Sequence, residues 1–379
     1  YQAEMASPSM RGALTSLYQL MITAGIFVAA LLDGFLVIKD DGWRLAIWLQ
    51  VIPAGFILLT MPFLPRSPRW LVQQGRHSEA KATLLRIRSD EEAEKEMREI
   101  AAEYEDSKRL GDARWSEVFT GRVGRLVLLG ASLQMLQQLV GMNAFMYFGP
   151  RIFGSFGLQE NRFQTINNAV NFVSTLPALY LADRAGRTIL LICGALGMGI
   201  ACTIMGVLGL MYMDHRDGTL VLKNQSVGGI MMACVFGFVI SFACTWGPIV
   251  WVYCCEIFPL KYRGRCVGVT TVTNWVGNYI IAQFSPVLLE GLGFGTFLIF
   301  GFFCFVGLAL ALWLPETKGL LLEHIGPIFD EKFGISDHKN APFSKDANTY
   351  GAIEDNSTYG ATTIENNSPG PTRTVLKMA

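Results

Sequence analysis

The sequence predicts an all-α membrane protein built from two related sets of helices, on three observations. Hydrophobic residues make up 51% of the 379 and charged ones only 16%, and the mean hydropathy is positive, a balance foreign to a soluble domain of this length. The apolar runs come in lengths near the ~20 residues that carry a helix across ~30 Å of hydrocarbon, about twice a barrel strand. A phrase also returns: EMASPSMRG, from Glu4 to Arg11-Gly12, reappears as EIFPLKYRG, from Glu256 to Arg263-Gly264. Each copy opens a pair of apolar runs, and the pairs close on LPRSPRW at Pro65 and LPETKG at Pro315. A parallel repeat with a period of about 250 residues is the mark of transporters made of two homologous halves.

Eight spans follow in order: 13–37, 43–64, 124–148, 164–182, 189–212, 227–257, 266–289 and 293–314. The second copy of the phrase has four spans before it and the first has none, so the chain, which starts at Tyr1, is expected to lack about four N-terminal spans and not to transport alone. Between the second and third spans, 65–123 is charged and helix-favouring. Leu84, Leu85, Ile87, Met97 and Ile100 form broken apolar stripes there, predicting short amphipathic helices on the cytoplasmic face. Segment 327–379 turns to Asn, Ser, Thr, Gly and Pro and is expected to be a disordered tail.

Charge sorts by loop. Arg184 and Arg187 share one tight turn and Lys261, Arg263 and Arg265 another, which makes these turns, 65–123 and the tail cytoplasmic. The 213–226 loop is then extracellular, where the sequon at Asn224 is open to glycosylation while that at Asn356 is not. The eight cysteines fall in or at the ends of spans without CxxC spacing and read as apolar fillers. Neither a metal cluster nor a nucleophile–base pair is visible, so no cofactor, no enzyme activity and no nucleic-acid partner is expected.

Amides inside spans carry the chemistry, because an amide in hydrocarbon is costly unless it meets a partner or a watery cavity. Gln19, Gln137, Gln138, Asn143, Asn171, Asn274 and Asn278 recur with Tyr147, Thr245, Trp246, Trp251 and Trp275 beside them. The turn around Gln137, Gln138, Asn143 and Tyr147 borders one cavity if the helix unwinds near Gly141. Amides both donate and accept, as hydroxyls require, and indole rings stack on sugar C–H faces, so the pattern points to a neutral polyol. The span interiors hold no Arg or Lys for an anionic substrate. Gly247-Pro248, Pro177 and Pro286 are expected to interrupt helices around a midplane site, and GALGMG at Gly194–Gly199 to serve close helix packing. At the cytoplasmic ends Glu4, Arg11, Arg69, Asp183, Arg184, Arg187, Glu256, Arg263, Arg265 and Glu316 are read as a charge latch of arginine–carboxylate pairs.

In order and spacing, E-x6-R-G, PxSPR, QQxxGxN, DRxGR, GPxxW…EIFP and PETKG resemble the sugar porter family of the major facilitator superfamily, over residues 1 to about 326. The resemblance implies two six-helix bundles, of which about eight of twelve helices are present. Residues 1–64 would be the last two helices of the N-terminal bundle, 65–123 the intracellular-helix linker, and 124–326 the whole C-terminal bundle. It implies sugar contacts at Gln19, Gln137, Gln138, Asn143, Asn171, Trp251 and Asn274, with Tyr147 and Phe242 as gating aromatics. Arg66 and Thr188 depart from the family pattern, so the inner latch is expected to be weaker or wired differently, and Ala243, where the well-studied animal glucose facilitators carry a glutamate, leaves uniport against symport to spans before Tyr1. The implied function is monosaccharide transport, hexose first, across the plasma membrane by alternating access, with uniport and proton symport both open. Inositol, quinate or a disaccharide as cargo, or a non-transporting sugar receptor on the same fold, are the alternatives.

Overall fold

The computed structural model describes residue 5 and residues 11–36, 41–109, 114–155, 160–216, 219–222, 225–259, 261–318, 328–329 and 332. The first predicted pair is helical: α1 spans Arg11–Leu36, then α2 (Gly42–Leu49) and α3 (Val51–Thr60). Three short helices occupy the linker, α4 (Pro68–Gln73), α5 (His77–Leu85) and α6 (Asp90–Arg109), followed by the single turn α7 (Trp115–Val118). The remaining spans are α8 (Gly121–Leu139), α9 (Met142–Ser155), α10 (Glu160–Arg184), α11 (Arg187–Tyr212), α12 (Gln225–Ser241), α13 (Gly247–Glu256), α14 (Arg263–Leu292) and α15 (Thr296–Trp313). A two-stranded antiparallel hairpin, β1 (Met213–Arg216) and β2 (Thr219–Leu222), joins α11 to α12.

Among the described residues six stretches of helix are long and apolar enough to cross a membrane. The last, Arg263–Trp313, holds two predicted spans joined by a tight turn at Gly293–Gly295. The span predicted at 164–182 is helical too, but its amides keep it below that apolar threshold. Pro177 and Pro286 correct one expectation, since α10 and α14 run through them unbroken. Neighbouring helices in a bundle satisfy the carbonyl that a proline leaves without a donor.

Packing around α11 explains the glycine run. Gly194 faces Thr245 and Trp246, Gly197 faces Ser241, and Gly199 faces the Phe305 ring, so small residues let α12 and α15 approach closely. Trp246 is fully buried there, its indole N–H donates to the Leu191 carbonyl at 2.8 Å, and Gly307 of α15 leaves room for its ring. Phe145 of α9 stacks between Phe238 of α12 and Phe297 of α15, at centroid distances of 4.7 and 5.1 Å. Phe329 is fully buried against this core, past the boundary drawn at 327, and the rest of the predicted tail beyond Lys332 lies outside the described residues.

The linker helices bury a core of their own, made of Leu71, Val72, Ala80, Leu84, Ala93 and Ile100. Leu84 and Ile100 face inward as the stripes predicted, whereas Leu85 and Ile87 are exposed, because α5 ends at Leu85 and Ile87 falls in the following turn. At the far end of the linker, Glu117 accepts from the Tyr262 hydroxyl at 2.7 Å and stands 3.5 Å from Lys261 Nζ. The Tyr262 hydrogen bond, more than the lysine, holds the Glu117 carboxyl below the usual carboxylate range. Its contribution is complete above that range and is lost as pH falls through the lowered value.

Gly141 separates α8 from α9 at φ 91°, and a Cβ there would come within 2.5 Å of the Phe300 ring. An L-residue at such a φ costs roughly 1–2 kcal/mol, and forcing atoms into a packed ring costs roughly 1–3 more. Gly141→Ala is therefore expected to lower the melting temperature of the detergent-purified protein by several degrees. An unchanged melting curve would mean that the break is not held in this geometry.

Candidate functional site

Two breaks face each other inside the bundle. On one side the chain turns at Gly141 between α8 and α9. On the other, α12 widens into one π-helical turn, Phe242–Trp246, before Gly247-Pro248 starts α13. Proline has no N–H and a π turn shifts the hydrogen-bond ladder, so carbonyls near the junction are open to outside donors. Gln137 supplies one: its Nε2 donates to the Trp246 and Gly247 carbonyls at 2.7 and 3.0 Å.

An amide network grows from that contact. Asn274 of α14 donates through Nδ2 to Gln137 Oε1 at 2.8 Å and to Gln134 Oε1 at 2.7 Å. Gln138 Nε2 donates to Asn274 Oδ1 at 2.9 Å, and Asn143 Nδ2 donates to Gln138 Oε1. Gln134, Gln137, Gln138 and Asn274 are all buried. Close approach of α14 depends on Gly277, whose Cβ position lies 3.1 Å from Gln138 Cβ. The open edge of the network is the partly buried Asn143 and the half-exposed Tyr147, whose hydroxyl donates to Asn278 Oδ1 at 3.1 Å. Chemically this is a patch of paired donors and acceptors that can exchange an internal partner for a ligand hydroxyl.

The other predicted site residues lie outside this hydrogen-bond network. Gln19 of α1 brings Nε2 to 3.5 Å from the Cβ position of Gly247, beside the carbonyls held by Gln137. Trp251 meets Tyr18 of α1 edge-on at 5.8 Å, Phe242 is buried in the π turn, and Asn171 is buried on α10. Trp246 turns out to be a packing residue, and Trp275 points outward, 62% exposed. Sequence reading missed Gln134, one helical turn before Gln137 and Gln138 on the same face; the i+3 and i+4 spacing was the available signal. It also missed Asn167 and Asn168, which continue the stripe of Asn171 by the same spacing.

The charges at the helix ends assemble in part. Arg187 Nη2 pairs with Glu256 Oε1 at 2.8 Å, Arg187 Nη1 donates to the Ala182 carbonyl, and Thr317 Oγ1 donates to Glu256 Oε2 at 2.7 Å. Glu316 differs from expectation: its carboxylate accepts the backbone N–H groups of Arg187 and Thr188, at 2.9 and 3.0 Å, where an arginine fork was predicted. It thereby caps the N-terminus of α11, where orphan N–H groups and the helix dipole favour an anion. Gly186, at φ 90°, leaves the room, since a Cβ would stand 2.6 Å from Glu316 Oε2. The Arg184 guanidinium lies over the Tyr180 ring, the Arg265 guanidinium over Trp115, and Arg263 Nη2 donates to the Phe258 carbonyl. Arg69 is half-buried at the start of α4, with Arg66 stacked over Trp70 at 4.6 Å. Glu4 and Asn224, and the side chains of Arg11 and Asp183, lie outside the described residues.

A bundle of membrane-length helices with a buried amide patch between two mid-helix breaks describes a multi-pass membrane protein. Comparison with solved structures agrees. The chain is similar to the major facilitator superfamily proton:xylose symporter XylE bound to 6-bromo-6-deoxy-D-glucose, with a TM-score of 0.74 and 28% identity, over 86% of this chain and 69% of that one. The family described as "Sugar (and other) transporter" matches residues 1–329, and the chain belongs to it. The arabinose-proton symporter of Escherichia coli K12 is 38% identical over 333 residues, 86% of this chain and 68% of that protein. Hexose transporter HXT10 of Saccharomyces cerevisiae is 33% identical over 343 residues, 87% of this chain. The chain spans 62% of the length of that second relative.

Proposed function

We propose that the protein moves a monosaccharide, a hexose first, across the plasma membrane by alternating access around the amide patch. The observation that carries this reading is the continuous network of Gln137, Gln138, Asn143 and Asn274 between the Gly141 break and the π turn. Its chemistry suits an uncharged polyol, because each amide presents a donor and an acceptor and no side-chain cation takes part. Gln19, Asn171 and Trp251 complete the site, Tyr147 and Phe242 act as its aromatic gates, and the charges at the helix ends form the inner latch. The reading is supported by family membership and by relatives described as hexose transporters and an arabinose-proton symporter. The latter supports a second reading in which the cargo is a pentose taken up with a proton. Both readings place the charged turns and the C-terminus in the cytoplasm.

Uptake of labelled glucose, xylose, arabinose and inositol by the intact transporter in transporter-deficient cells tests both. Glucose uptake insensitive to a protonophore is expected for hexose uniport. Pentose uptake collapsed by a protonophore favours the second reading, and no uptake of any of the four rejects monosaccharide transport.

A further inference from the structure

The amides of α10 continue beyond the one residue assigned to the site. Asn167 is fully buried and neither Nδ2 nor Oδ1 has a hydrogen-bond partner; Asn168 is 5% exposed and its Oδ1 has none. An amide buried unpaired in a membrane bundle costs stability, and such groups are rare without a reason. Packing glue does not explain them, because glue requires a partner.

Their position supplies a reason. Asn167, Asn168, Asn171 and Thr175 share the buried face of α10, while Ile166, Val173, Leu176 and Tyr180 are exposed on the opposite one. α10 meets α9 through Gln164 Nε2 to the Met146 carbonyl and the π turn through Cys244 Sγ to the Ser174 carbonyl. Both neighbours carry the proposed site: Asn143 and Tyr147 stand on α9, and Phe242 in the π turn. One helical turn, about 5.4 Å, separates Asn171 from Asn167 and Asn168. That distance is within the width of one sugar ring.

We propose that Asn167 and Asn168 are specificity-determining residues of the substrate site, hydrogen-bonding sugar hydroxyls on the side facing α10. This rests on the sugar-transport reading above and deepens it. In the arrangement described here both polar atoms of Asn167 and the Oδ1 of Asn168 are buried and unpaired, and bound substrate supplies their partners. The pair adds donors and acceptors beyond those of the Gln138 network, so it selects for a cargo carrying a hydroxyl at that end of the ring.

The test is a cycle of residue against hydroxyl in the intact transporter. Inhibition constants are measured for whichever of D-glucose, D-xylose and L-arabinose is taken up fastest, and for its monodeoxy analogues, in the wild type, Asn167→Leu, Asn168→Ala and Asn168→Ser. Asn168→Ala is expected to weaken the parent sugar about 5- to 20-fold. One analogue, already weakened by a similar factor in the wild type, is expected to lose nothing further in that variant. Asn168→Ser, which keeps a hydroxyl, should recover part of the loss. Losses that multiply for every analogue would make the pair structural and overturn the proposal, as would an unchanged constant for the parent in both Asn167→Leu and Asn168→Ala. Detergent melting curves keep a folding defect apart from these outcomes. If the wild type takes up none of the three sugars, the transport reading fails and this inference with it; if it takes them up without coupling, only this inference fails.

Discussion

Gln138→Ala is expected to weaken sugar binding by about 10- to 100-fold. The side chain is the hinge of the amide patch, accepting from Asn143 Nδ2 and donating to Asn274 Oδ1 at 2.9 Å. Removing it strips a donor and an acceptor from the amide patch and leaves the buried Asn274 Oδ1 and the partly buried Asn143 Nδ2 without their partner, at roughly 1–3 kcal/mol for the buried group and less for the other. Part of that cost falls on the empty protein and appears as lower stability. The part borne by the sugar complex appears as affinity, at about 1.4 kcal/mol for each factor of ten. Binding titration and melting curves on the purified intact transporter separate the two. A lowered melting temperature with unchanged affinity would make Gln138 interhelical glue and remove it from the ligand set.

How much of this was legible in the sequence depends on the range of the cause. The spans were readable because bilayer thickness sets their length and the cause is local composition. The break at Gly141 was readable as well, since glycine tolerates the positive φ that the turn requires. Proline shows the limit. Pro248, Pro177 and Pro286 carry the same signal in the chain, yet only the first stands at a junction between helices. What distinguishes it is Gln137, more than a hundred positions away in sequence, whose amide takes up carbonyls at the π turn. No local rule contains that contact.

The site shows the same division. Gln137, Gln138, Asn143 and Asn274 were legible as amides in hydrocarbon, and the structure joins them. Gln134 was passed over because one more amide a turn away adds no new local pattern; it is identified only by its bond from Asn274. Trp246 was grouped with the recognition aromatics on composition, and its burial against Leu191 and Gly307 assigns it to packing. Glu316 was expected to meet an arginine, as its place among the charged helix ends suggested. It accepts backbone N–H groups, those of Arg187 and Thr188 at the start of α11 and those of Thr317 and Lys318, an arrangement set by the fold of the chain around Gly186.

Glu256→Gln is expected to cut transport by about 10- to 100-fold while leaving equilibrium sugar binding within about threefold, because the change acts on the balance between conformational states and not on the amide patch. Glu256 ends α13, the helix that begins at the π turn, and it holds Arg187 of α11 and Thr317 beyond α15. One carboxylate thus ties together the end of α13, the start of α11 and the segment after α15, and the other end of α13 is the π turn that Gln137 holds. The Arg187–Glu256 pair is largely buried, with side-chain exposures of 8% and 16%, so it is screened far less than a surface pair. An amide in its place keeps a bond to Thr317 but loses the charge-assisted bond to Arg187, worth roughly 1.5–3 kcal/mol, which is the factor of 10 to 100 in the population of the state that the bond holds. Arg187→Lys restores charge without the fork and is expected to fall between the wild type and Glu256→Gln. Initial uptake rates and equilibrium binding, measured at matched expression, decide the matter: equal losses in both would place Glu256 in the binding site's support and end its role as a latch.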